Sequence, residues 1–190
     1  MAGIWFDEME VGQVIDHPIR RTVTETDNVM FTCMTHNPAQ LHLDEEYMKG
    51  TEFGTRIVNS CFTLSVMVGI SVNDTTLGTA VANLGWDEVR FPKPLFHGDT
   101  IRIETEIVGL RESKSRPEAG IVTFEHRAFN QHGDLVASLL VGDRWGPGRW
   151  IGSAGGLIAL GLDNSSVAWR QASGERLDLI WLEAIATGAH

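Results

Sequence analysis

The sequence predicts an α+β fold in which an antiparallel sheet wraps a long central helix, and three observations carry that prediction. The run VNSCFTLSVMVGISV (58–72) is apolar on nearly every side, and a helix without a polar face is one that other elements must surround. After it come four strand-like runs, 79–91, 100–110, 119–130 and 134–141. They are separated by PKPLFHGDT, by the polar loop RESKSRPEAG and by NQHGD, where Gly133 supplies a hairpin turn, so the layout reads as an antiparallel meander.

The elements before the helix follow in order. QVIDHPIRRTVT (13–24) mixes apolar and polar positions like an edge strand weakened by Pro18. Thr24 or Thr26 caps a short helix through DNVMFTCMT, which Asn37-Pro38 stops because a residue before proline is pushed out of the α region. DEEYMKG is a further helical turn closed by Gly50.

Composition narrows the function. With 190 residues and 43% apolar content the chain can bury a core, and length favours one domain with an appendage. A formal charge of -10 argues against nucleic acid or an anionic membrane as partner. No apolar run reaches the roughly 18 residues that crossing a bilayer needs, and no charged-then-apolar leader opens the chain. The expectation is therefore a cytoplasmic protein. Cys33 and Cys61 are too few for a disulfide scaffold and lack metal-ligand spacing, so no metal is expected, and both read as reduced core or pocket-wall residues.

HNPAQLHLD (36–44) stands out, with two histidines around an Asn-Pro and an aspartate at its end. It reads either as a catalytic loop or as a turn that carries histidines. FDEMEVGQVIDH, HNPAQLHLDEEY, the buried helix and VRFPKPLFHGDTIRIETEI follow one another as they do in the MaoC-like dehydratases, which these residues resemble over roughly 5–138. That family includes (R)-specific enoyl-CoA hydratases.

The resemblance implies a hotdog fold over 1–141, a homodimer or larger homo-oligomer, and reversible addition of water to a 2-enoyl-CoA. It implies no cofactor, CoA being part of the substrate. It makes His42 the residue that takes a proton from water and returns one to the α-carbon, work suited to a group titrating near neutrality. The family's aspartate, five residues before the histidine, is Asn37 here. Asn37 cannot act as a base; it either positions water or substrate, or simply makes an Asn-Pro turn. Where the family has His-Gly, this chain has Asn59-Ser60, with the backbone N–H of Ser60 as oxyanion donor and Asn59 beside the substrate. Ser65 matches a family serine near the catalytic pair, and either bonds a catalytic group or bonds back to a helix carbonyl.

The missing aspartate suggests a substrate with its own carboxylate, such as mesaconyl-CoA or itaconyl-CoA, because two carboxylates in a low-dielectric pocket repel. Arg56, placed just ahead of the buried helix, and Arg90, with Lys93, are candidates to hold that carboxylate. RESKSR (111–116) fits CoA phosphates or a solvated loop. His36 is a rival to His42 but reads as solvent-facing, and Asp44 either caps the next turn or orients the imidazole. His17, His97, His126, His132 and His190 receive no role.

The tail 142–190 departs from the family. It holds a possible amphipathic helix over 174–186 and reads as an arm on a partner subunit, a tail in a shifted frame, or disorder. Two further functions stay open, a hotdog acyl-CoA thioesterase and a non-catalytic acyl-CoA-binding module.

Overall fold

The computed structural model describes residues 3–114 and 119–145. The tail readings, the helix over 174–186 and the centre of the RESKSRPEAG loop lie outside the described residues.

The segment 13–24 forms two short strands instead of one, β1 (Val14–Asp16) and β2 (Arg21–Thr22). Pro18, which has no N–H to give a ladder, falls between them. Thr24 caps α1 (Glu25–Met34): its Oγ1 accepts from the Asp27 N–H at 3.1 Å, and the Asp27 carboxylate accepts from the Thr24 N–H at 2.9 Å. His36, at φ +54°, then turns the chain left-handed, and the Asn37 N–H reaches back to the Thr32 carbonyl at 3.0 Å. Two short helices follow, α2 (Gln40–Leu43) and α3 (Glu45–Lys49). Asp44 caps α3, accepting from the Tyr47 N–H at 2.9 Å.

The central helix α4 (Ser60–Thr75) starts two residues later than the apolar run and ends three residues beyond it. Leu64, Met67, Val68 and Ile70 are among its buried residues. They meet the inward positions of the long strands: Ile101, Ile103 and Ile107 of β4 (Thr100–Glu112), Val122 and Phe124 of β5 (Gly120–Phe129), and Leu139 of β6 (Leu135–Trp145). Burying each such side chain contributes about 1.5–3 kcal/mol. The inward positions alternate strictly along β5, as a strand with one covered face requires. Gly120 allows the close approach of the Phe6 ring, since a Cβ there would lie 2.2 Å from the ring carbons.

The sheet order β1-β4-β5-β6-β3 corrects the predicted meander. β3 (Ala80–Arg90) pairs antiparallel with β6, the last described strand in sequence, and not with its sequence neighbour β4. Residues 91–99 must therefore cross the width of three strand spacings, about 14 Å, which nine residues span easily. Pro92 and Pro94 keep that crossing extended and out of any ladder. β6 runs to Trp145, past the boundary expected at 141.

Candidate active site

The stretch HNPAQLHLD folds as a turn followed by the single turn of α2. The Asn37 Oδ1 accepts from the Ala39 N–H at 3.0 Å, which closes the turn and leaves the Nδ2 side of the amide directed elsewhere. α2 then carries His42 inward, to 7% exposure. Its Nδ1 lies 2.9 Å from the Ile57 carbonyl oxygen. A carbonyl only accepts, so Nδ1 carries a proton, and the tautomer this bond selects has its lone pair on Nε2. Nε2 has no hydrogen-bond partner among the described residues. The Ile57 carbonyl is itself fixed, because the Ile57 N–H bonds the Leu41 carbonyl at 3.1 Å and Ile57 bridges Phe96.

Three residues after Ile57 the central helix begins. Asn59 is its cap, with Oδ1 accepting from the Cys61 N–H at 3.0 Å. The Ser60 N–H has no acceptor among the described residues, and it points from the positive end of a sixteen-residue helix. Asn28 joins the two halves. Its Nδ2 donates to the His42 carbonyl at 3.1 Å, and its Oδ1 accepts from the Asn59 N–H at 2.8 Å. A base with a free lone pair and an unpartnered N–H donor are thus held on one scaffold.

The sequence model of the MaoC like domain family matches residues 7–128. The chain belongs to this family. Mesaconyl-CoA hydratase of Cereibacter sphaeroides is 32% identical over 144 residues, which is 76% of this chain and 40% of that protein. The chain therefore spans well under half the length of that relative. An Archaeoglobus structure described as a monoamine oxidase regulatory protein superposes with a TM-score of 0.70 at 31% identity, covering 78% of this chain and 98% of the other. A Mycobacterium tuberculosis protein with a double hotdog fold superposes at 0.68 and 23% identity, over 76% of this chain and 44% of that one. The sheet around α4 is a hotdog.

Several expected residues of this MaoC-like site have other work. Arg56 is already paired twice: its Nη2 donates to Glu25 at 2.5 Å and its Nε to Glu45 at 2.8 Å, tying the first turns of α1 and α3 together. Those carboxylates hold the arginine above its ordinary pKa, and it in turn holds both of them below theirs. Two carboxylates already offset its single charge, so a third would gain little there, and Arg56 is corrected to a structural tie. Asn59 is corrected likewise, since it is 4% exposed, its Oδ1 caps α4 and its Nδ2 donates to the Thr32 Oγ1 at 3.3 Å, so its side chain is turned into the scaffold. Arg90 is exposed on the last residue of β3 beside Glu88, and Lys93 pairs with Asp134. Ser65 donates to the Cys61 carbonyl at 2.8 Å, the back-bonded alternative, which leaves its lone pairs able to accept. His36 is exposed, and Asp44 is the α3 cap. Cys33 and Cys61 are exposed thiols and not core residues.

Sequence reasoning missed Asn28 and His97. Asn28 reads as an ordinary polar residue in a capped helix; its partners lie 14 to 69 residues away and no local pattern announces them. Among the described residues, no group of three or more His, Cys, Asp or Glu is arranged to hold a metal ion.

Proposed function

We propose that this domain adds water reversibly to a 2-enoyl-CoA, with His42 as general base and acid and the Ser60 N–H as oxyanion donor. The observation that carries the reading is the His42 ring: buried, its Nδ1–H given to the Ile57 carbonyl, its Nε2 free. In the hydration direction Nε2 takes a proton from water while the water oxygen bonds the β-carbon. The C=C electrons move onto the α-carbon and thioester oxygen, where the Ser60 N–H and the positive end of α4 stabilise the enolate. The imidazolium then gives its proton to the α-carbon, which restores Nε2. The Asn37 Nδ2, freed because its oxygen closes the turn, donates to the water oxygen and orients it; Ser65, whose hydroxyl proton goes to the Cys61 carbonyl, keeps lone pairs for a hydrogen bond from the bound water or substrate.

A small carboxylated acyl group is part of this reading. It is supported by the amide at position 37 and by the resemblance to a mesaconyl-CoA hydratase. So is a homodimer, supported by the open edge of β3, and a cytoplasmic setting, supported by two exposed free thiols. No cofactor beyond the CoA of the substrate is invoked.

The test follows loss of enoyl-thioester absorbance with crotonyl-, mesaconyl- and itaconyl-CoA in parallel. The parent turns over the dicarboxylic thioesters, and His42→Ala loses about 10²–10⁴-fold in rate, the usual worth of a positioned acid–base group. Thiol release from saturated acyl-CoAs would favour a thioesterase instead, and binding without turnover would favour a non-catalytic module.

A further inference from the structure

Asn28 is completely buried, and both ends of its carboxamide are committed. The Oδ1 accepts from the Asn59 N–H at 2.8 Å, which fixes which way the amide faces. The Nδ2 donates to the His42 carbonyl at 3.1 Å and to the His97 Nε2 at 3.0 Å, with the Ile57 carbonyl a longer third acceptor at 3.4 Å. One side chain of α1 thus grips the α2 turn, the approach to α4 and the loop that crosses from β3 to β4. The Ile57 carbonyl is shared: it receives the His42 Nδ1–H on one side and faces the Asn28 amide on the other.

We infer that Asn28 is a positioning residue, which sets the spacing between the His42 Nε2 and the Ser60 N–H by locking the α2 turn to the α4 entrance. The inference rests on the hydratase reading of that pair. Base and oxyanion donor must reach two ends of one short conjugated thioester, and a misplacement of about 1 Å costs on the order of 10²-fold in rate. A loop and a helix entrance that share no covalent restraint shorter than the segment 43–58 need such a clamp to hold that tolerance.

His97 supplies the fourth contact as an acceptor. Burial, aided by the charge of Arg56, lowers its pKa and so keeps the Nε2 lone pair available to the Asn28 amide. Glu25 and Glu45 act in the opposite sense.

The test uses Asn28→Ala and Asn28→Asp beside the parent. The aspartate variant has the same shape and still accepts from the Asn59 N–H, but it turns lone pairs toward the carbonyls of His42 and Ile57. With folding checked by circular dichroism, both variants lose roughly 30- to 100-fold in kcat on mesaconyl-CoA while KM stays within about threefold. Nitrogen-15 spectra of the ring show His42 passing from a single Nδ1–H tautomer to a mixture. A folded variant with kcat within threefold of the parent, a change confined to KM, or an unchanged His42 tautomer would overturn the inference. If the parent hydrates no thioester, the hydratase reading fails by itself, and the ring spectra still decide whether Asn28 positions His42.

Discussion

In the proposed mechanism His42 and Asn37 divide the chemistry that the family resemblance gives to a histidine and an aspartate. The Asn37 oxygen is used up closing a turn, so what faces outward is a donor. Asn37→Asp would keep the turn, because a carboxylate also accepts from the Ala39 N–H, and would add a second oxygen able to take a proton. Beside an uncharged enoyl-CoA that oxygen helps. Beside a carboxylated one it repels, by about 4 kcal/mol for charges 4 Å apart at an effective dielectric of 20. The ratio of kcat/KM for crotonyl-CoA over mesaconyl-CoA is therefore expected to rise at least tenfold in Asn37→Asp. An unchanged ratio would remove the electrostatic account of position 37. The loop was legible in the sequence because its residues are neighbours. Asn28 and His97 were not, because a carboxamide that bridges residues 31 positions away leaves no local trace.

Among the elements, the end of β1, β4, β5 and α4 are stitched together by a chain of polar groups, buried except for the half-buried Asp74, that sequence left unassigned. The His17 Nδ1 lies 2.9 Å from an Asp74 carboxylate oxygen and its Nε2 2.7 Å from the Thr105 Oγ1, which in turn lies 2.7 Å from the His126 Nδ1. His17 and His126 are 109 residues apart in sequence, yet Thr105 and His126 are cross-strand partners on the inward face. Desolvation, reinforced by His17, lowers the His126 pKa from 6.5 to about 3. The unfolded chain then binds the proton that the folded chain refuses throughout that interval. Stability is complete above the unfolded value and is lost as pH falls from about 6.5 toward 3, at roughly 1.4 kcal/mol per pH unit. Urea unfolding at a series of pH values should show this slope in the parent, and His126→Gln should flatten it; equal slopes would contradict the assignment. The long strands were readable from their patterning and bounding turns, and the central helix from its lack of a polar face. Their partners were not: period-2 alternation shows which face is buried and says nothing of which strand lies alongside, which is why β3 was expected beside β4.

For the whole molecule, the open edge is decisive. Among the described residues β3 ends the sheet with a row of backbone groups that no other strand meets, and Leu84, Trp86 and Val89 on it, with Phe91 just beyond, are each about 40% exposed. An apolar edge of that kind is a pairing surface. Sedimentation at micromolar concentration should give a dimer for the parent and a shift toward monomer for Trp86→Lys; a monomeric parent would refute self-association through β3.

The central claim is that His42 moves a proton between water and the α-carbon of an enoyl thioester. Mesaconyl-CoA incubated with the protein in D2O and followed by proton NMR tests it directly. The account predicts a hydrated product with one deuterium at the α-carbon and an intact thioester, formed by the parent and not by His42→Ala. Release of free CoA thiol, or hydration that persists undiminished in His42→Ala, would contradict it.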